Sequence, residues 1–264
     1  MNGRARFAGS SLALMLTILL VGWSWPAAGA SNTLDVDLEL VLAADISDSM
    51  DRDEQVLQRA GYAAAFRDLQ IIEAIRRGAH GRIAVTFIEW ADLARPRVVV
   101  PWQVVDGPAS AEAFAEKLEN SRIGRMGRTS ISGALSFAAH LIEFNRINGV
   151  RRVIDVSGDG PNNQGGSVEA ARDSVVAQGI VINGLPIQIK MNNPRDPFDG
   201  AFDKSQLHIY FEDCVIGGPG SFMVPIKDRS ELVDGIRHKL YLEIAGQQPA
   251  LVPAAWSSSP RLPC

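Results

Sequence analysis

The sequence predicts a three-layer, doubly wound α/β domain whose mostly parallel central sheet carries one antiparallel edge strand. Three observations predict it. Strand-like and helix-like patterns alternate through most of the 264 residues, which is the sign of helices layered on a sheet. Residues 34–44 alternate at first and then turn continuously apolar, as a central strand buried on both faces does. Only six residues separate the strand-like runs 82–90 and 97–105, too few for the helical crossover that two parallel strands need.

Before these elements comes a leader. Arg4 and Arg6 precede an apolar stretch from Leu12 to about Trp25, and Ala28, Gly29 and Ala30 supply a small-residue cleavage site. This pattern predicts a secretory signal peptide over residues 1–30, with an uncleaved anchor as the alternative. The expected organisation is then a folded domain over 31–246 and an irregular tail over 247–264, rich in Pro, Ser and Gln. Export places the mature protein in the periplasm or outside the cell, with no membrane span left after cleavage. Losing two arginines takes the formal charge from −4 to −6, which disfavours nucleic acid and anionic lipid as partners. In an exported chain the two cysteines, Cys214 and Cys264, suggest one disulfide tying the tail to the body. Two unpaired thiols are the alternative.

The elements follow in order. After the first strand, a helix is expected over 51–66, with Val56, Leu57, Ala60, Ala63 and Ala64 on its buried face, and a shorter one over 68–77. Gly78 and Gly81 end the helical pattern. The runs 82–90 and 97–105 are the second and third strands, and Pro96 and Pro101 suit an edge because proline cannot donate to a ladder. Helices are expected over 110–120, capped by Ser110, and over 130–144, with Ile131, Leu135, Ala138 and Ile142 inward. A fourth strand (150–156), a helix (166–178) and a fifth strand (180–185) complete the alternation. Residues 186–202 carry Pro, Asn, Asp and Gly and form a long loop, expected to wall the site described next and to bear on partner choice. A short helix (206–212), a last strand (221–226) and a closing helix (229–244) finish the domain.

Three stretches share small oxygen-bearing side chains at strand ends or helix starts: "DISDS" from Asp45, "GRTS" from Gly127 and "SGDGPNN" from Ser157. In an open parallel sheet the loops at the carboxyl ends of the strands lie on one edge, where ligands bind at the switch in strand order. Asp45, Ser47, Ser49, Thr129 and Asp159 are therefore placed to meet, and a set that offers only oxygen suits a hard divalent cation. Two carboxylates with hydroxyls fit Mg2+, with Mn2+ or Ca2+ as alternatives. Taken singly, "DISDS" and "TS" read as helix caps and "SGDGPNN" as a turn.

Together the three stretches resemble the von Willebrand factor A (vWA) family, over about residues 34–244, in the manner of an exported bacterial branch whose role is not established. Asp45-x-Ser47-x-Ser49, then Thr129, then Asp159 after the fourth strand match that family's metal-ion-dependent adhesion site. The resemblance implies that Ser47 and Ser49 coordinate the ion directly and that Asp45 and Asp159 do so directly or through water. It implies that Thr129 is a ligand able to join or leave, and that the open position takes an acidic side chain from a partner protein. Asp48 departs from the pattern, since glycine is frequent there. It adds an acid near the ion, and is read as a solvated helix-start residue.

The expected function is thus a metal-dependent protein-binding module and not an enzyme. Two alternatives remain: a structural domain whose ion ties loops together, and a magnesium-dependent phosphatase of haloacid-dehalogenase type, suggested by "GDGPNN". The second needs an acid two residues after the nucleophilic Asp, where this chain has Ser47. The four histidines are scattered without an H-E-x-x-H pattern, no G-x-S-x-G elbow occurs, and "GGPGS" at 217–221 lacks the Lys-Ser/Thr ending of a phosphate loop.

Overall fold

A computed structural model describes residues 33–94, 96–124, 127–189, 202–247 and 264. The expected leader, residues 190–201 of the long loop and residues 248–263 of the expected tail lie outside the described residues.

Strand β1 (Leu34–Asp45) is central and pairs in parallel with β2 (Ile83–Trp90) on one side and β4 (Ile147–Gly158) on the other. Strand β5 (Val181–Pro186) extends the sheet in parallel beyond β4, and β3 (Arg97–Val105) closes the opposite edge antiparallel to β2, giving the order β3-β2-β1-β4-β5. The register of β3 shifts where Val85 and Phe87 face Gln103 and Val100. Pro101 lies in that bulge, where its missing N–H breaks no regular ladder.

Period-two alternation in β1 builds two cores. Leu38, Leu40 and Leu42 pack against helices α1 (Arg52–Arg67), α2 (Leu69–Arg76), α3 (Pro108–Asn120) and the closing helix α7 (Leu232–Ala245). Val41 and Ala43 face α4 (Ile131–Glu143), α5 (Val168–Ala177) and the short α6 (Leu207–Tyr210). A strand covered on both faces is why this stretch is continuously apolar. The inward residues expected of α4 are all buried.

Four local expectations are corrected. Helix α3 starts at Pro108, and Ser110 sits in its first turn, where its hydroxyl accepts from the amides of Asp106 (3.0 Å) and Gly107 (3.1 Å). The first two turns of α1 bury polar residues: Val56, Ala60 and Ala64 are exposed and Glu54, Gln55, Gln58 and Arg59 are buried, while the later turns bury the expected Ala63 with Tyr62, Ala65 and Phe66. Those polar turns meet the ends of β2 and β4, where Arg59 and Gln58 partner Glu89 and Ser157. The segment after Ser221 makes only isolated bridges to β5. Its amides at Val224 and Ile226 donate to Gly184 and Pro186, while Pro225 has no N–H to give. The short helix is also longer than expected, opening on a 3₁₀ turn (Lys204–Gln206) and widening after α6 into a π turn (Phe211–Val215).

Cys214, in that π turn, is bonded to Cys264, with Cα atoms 5.6 Å apart. The disulfide reading of the cysteine pair is therefore the one the structure bears out.

Candidate metal centre

Asp45 is the last residue of β1 and Asp159 follows the last residue of β4, so both lie at the point where strand order reverses. Ligands bind at that position in open α/β sheets. Asp45, Ser47, Thr129 and Asp159 are each 4% exposed or less, and Ser49 is partly buried.

The first loop folds back on itself. The amide of Ser47 donates to Asp45 Oδ1 at 2.7 Å, the hydroxyls of Ser47 and Ser49 lie 3.0 Å apart, and Ser49 Oγ donates to Asp159 Oδ1 at 2.5 Å. Neither serine caps α1. Asp51 does so, accepting from the Glu54 amide at 2.6 Å while Glu54 Oε2 accepts from the Asp51 amide at 3.0 Å, a reciprocal box that leaves both hydroxyls for the site. Asp48 precedes that cap and is partly buried, with its carboxylate over Gly127, so it is neither a helix-start residue nor fully solvated.

Thr129 joins through its backbone. Its amide donates to Asn163 Oδ1 at 2.9 Å, and its carbonyl accepts from the amides of Asn163 (2.9 Å) and Gln164 (3.1 Å). The neighbouring Ser130 takes the cap of α4, accepting from the Gly133 amide at 3.2 Å. Asn162 Oδ1 accepts from the Ser132 amide at 3.2 Å, so both asparagines of "GDGPNN" stitch the Asp159 loop to the Thr129 loop.

Asp45 bears on whether a cation fits. Its Oδ2 is buried and makes no hydrogen bond of ordinary geometry. Burial pushes its carboxyl up to about 8 and the nearby charge of Asp159 adds to this, with the groups of Ser47 and the Asp159 backbone only partly offsetting them. A buried acid with one oxygen unsatisfied, beside another acid, is costly, and a divalent cation shared by the two reverses that cost. A Cβ at Gly158 would come within 3.3 Å of the same oxygen, so the absent side chain leaves it room. Among the described residues no group of three or more His, Cys, Asp or Glu side chains is placed to hold a metal. An ion here would draw on hydroxyls as well as the two carboxylates, a donor set that fits Mg2+ better than zinc.

Several contributors carry no sequence signal of the usual kind. Lys204, in the turn after the long loop, places Nζ 2.9 Å from Asp159 Oδ2. Glu54 is pushed up to about 7 by burial, with the charges of Asp51 and Asp159 acting in the same direction. Gln58 Nε2 donates to Ser157 Oγ at 2.8 Å, which in turn donates to the Ala43 carbonyl at 3.2 Å, tying β4 to β1 just below the site. Arg59 and Arg97 both pair with the buried Glu89, which also accepts from the Gly124 amide at 3.3 Å. Trp90 is buried, with its Nε1 donating to the Ala43 carbonyl at 3.1 Å, and Trp102 donates to the Leu141 carbonyl at 3.3 Å, so both serve packing.

No curated protein matches the chain. Among solved structures it resembles the pilus adhesin SpaC from Lactobacillus rhamnosus GG in its open conformation, at TM-score 0.54 and 12% identity over 81% of this chain and 30% of that one. It resembles proximal thread matrix protein 1 from the mussel byssus, solved with a zinc-occupied MIDAS motif, at TM-score 0.52 and 14% identity over 81% and 49%. It also resembles the vWF domain of the type V pili tip protein Mfa5 from Porphyromonas gingivalis, at TM-score 0.52 and 10% identity over 82% and 98%. The chain thus spans less than half of the first two proteins and nearly all of the Mfa5 domain. At such identities the likeness is one of fold. Residues 35–248 match the family described as "Protein of unknown function (DUF1194)", so the chain belongs to that family, and its fold is that of the vWA domain.

Proposed function

We propose that this chain is an exported, divalent-metal-dependent protein-binding module. Asp45, Ser47, Ser49, Thr129 and Asp159 would hold Mg2+, or Mn2+ or Ca2+ in its place, as a metal-ion-dependent adhesion site. The observation that carries the reading is the buried Asp45 Oδ2, left without a hydrogen bond at the switch point beside Asp159. When bound, the ion would supply charge neutralisation and an open coordination position for an acidic side chain of a partner protein. The chain's own residues orient the donors, with the Asp51 and Ser130 caps leaving the neighbouring Ser49 and Thr129 side chains out of the helix ends.

A purely loop-tying role for the ion gains no support, because Asn162 and Asn163 already join two of the three loops through protein hydrogen bonds. Catalysis is not part of the reading, since the position two residues after Asp45 holds a serine. Export is supported by the Cys214–Cys264 bond, which persists in oxidising compartments. Adhesion fits two structures of like fold, a pilus adhesin and a pili tip protein.

Calorimetric titration with magnesium is expected to give saturable heats for the wild-type protein and none for the Asp45→Ala, Asp159→Ala double variant. Equal heats for the two would sink the metal site. Capture of a protein from periplasmic or culture-medium extract in magnesium, and its release by chelator, tests the partner half.

A further inference from the structure

Both oxygens of Asp159 have partners within this chain. Oδ1 accepts from Ser49 Oγ, and Oδ2 is paired with Lys204 Nζ at 2.9 Å, the lysine side chain being 19% exposed. The ammonium does not arrive on a free surface chain. Its residue opens the 3₁₀ turn Lys204–Gln206, capped by Asp203, whose side chain accepts from the Ser205 amide at 2.9 Å. From the described start of the long loop, Gln188 Nε2 donates to the carbonyls of Lys204 (2.9 Å) and Ser205 (2.8 Å). The two ends of the loop are thereby latched together, and the latch delivers a positive charge to one of the two acids of the site.

We propose that Lys204 is a built-in competitor of the divalent cation at Asp159, so that metal uptake and undocking of the 204–206 turn are one coupled equilibrium. This rests on the metal reading of the site. As ligands Asp45 and Asp159 would both be ionised and together offer two negative charges, which match a dication, and an ammonium in contact with Asp159 removes one of them. A dication and an ammonium sharing one carboxylate in a site shielded from water repel each other strongly. Coupling is reciprocal, so whatever factor the lysine takes from metal affinity, the metal takes from the docking of the turn.

The test uses the full chain and magnesium chloride. Lys204→Met and Lys204→Gln should each bind Mg2+ at least about tenfold more tightly than wild type by calorimetry, the glutamine keeping a hydrogen-bond donor but no charge. In the wild type, amide hydrogen exchange at Ser205, Gln206 and Leu207 should speed up on adding Mg2+, whereas in Lys204→Met it should be insensitive to the metal. Affinities equal to or weaker than wild type in both variants would overturn the competition while leaving the metal site standing. Tightening in Lys204→Met alone would assign the effect to the hydrogen bond and overturn charge competition. Exchange in the wild type that ignores Mg2+ would overturn the coupling to the turn. No heat in any of the three proteins would remove the metal reading and this inference together.

Discussion

Replacing Lys239 with methionine is expected to destabilise the domain by about 3–5 kcal/mol, the usual cost of leaving buried charge without its partner. Lys239 lies on the inner face of α7 with its side chain 1% exposed, and pairs there with Asp155 of β4 and Glu243 one helical turn further on. Its ammonium also stands 5.5 Å from the centre of the Phe222 ring. Glu243 is pushed up to about 7, first by burial and then by the charge of Asp155, even with the lysine beside it. Removing the cation leaves two acids in the core, of which Glu243 Oε2 already lacks a hydrogen bond.

Urea or thermal unfolding would show the change as a drop of roughly 10 °C in Tm for a domain of this size. A loss below about 1 kcal/mol would mean that the trio is not sealed from water. Adding Asp155→Asn and Glu243→Gln to the methionine variant should recover most of the loss, because the cost lies in the unpaired charge. The same trio gives the wild type a pH signature. Glu243 is raised above its ordinary 4.5, so its contribution is fully present below about 4.5 and is lost as the pH rises to about 7. Lys239 is also held above its ordinary value, its burial outweighed by the charges of Asp155 and then Glu243, so its contribution persists through neutral pH and is lost only in strong alkali.

Asp45→Asn is expected to separate stability from metal response. In the metal-free protein the substitution removes a buried acid that has Asp159 for a neighbour, so stability should hold or rise. In wild type, magnesium at about a hundred times its Kd should add about 2.7 kcal/mol, which chelator then removes. The asparagine variant should show no such increment, because a neutral amide does not balance the ion. Urea unfolding of both proteins, in magnesium and in chelator, reads the two effects at once. An increment that survived in Asp45→Asn would count against Asp45 as a ligand.

What the sequence made legible follows from which signals are periodic. The two-faced β1, the short link before β3 and the inward stripe of α4 all carry alternation or spacing that points to a layered α/β sheet with an antiparallel edge. The first two turns of α1 were not legible, because an apolar stripe is the wrong sign where a helix covers strand ends that carry polar groups, although Ala63 further on is buried as expected. Gln58 and Arg59 look like solvent-facing residues until Ser157 and Glu89 are placed opposite them. For the site, Asp45, Ser47, Ser49, Thr129 and Asp159 could be placed on their loops because each follows a strand or precedes a helix. Asn162 and Asn163 stood beside Asp159 in the same motif, and the need to hold two loops together was the available clue. Lys204 had none, since a lysine after a long loop carries no period and Asp159 lies 45 residues away in sequence.

The bond between Cys214 and Cys264 spans 50 residues, and α7 lies inside the ring it closes. Tension applied at Cys264 therefore has a covalent path through the sulfur bridge into the π turn that bypasses α7. The closing helix, with Lys239 and Glu243 anchored in the interior, thus has a mechanical bypass while the bridge is oxidised, and lies on the sole covalent path for such a pull once the bridge is reduced.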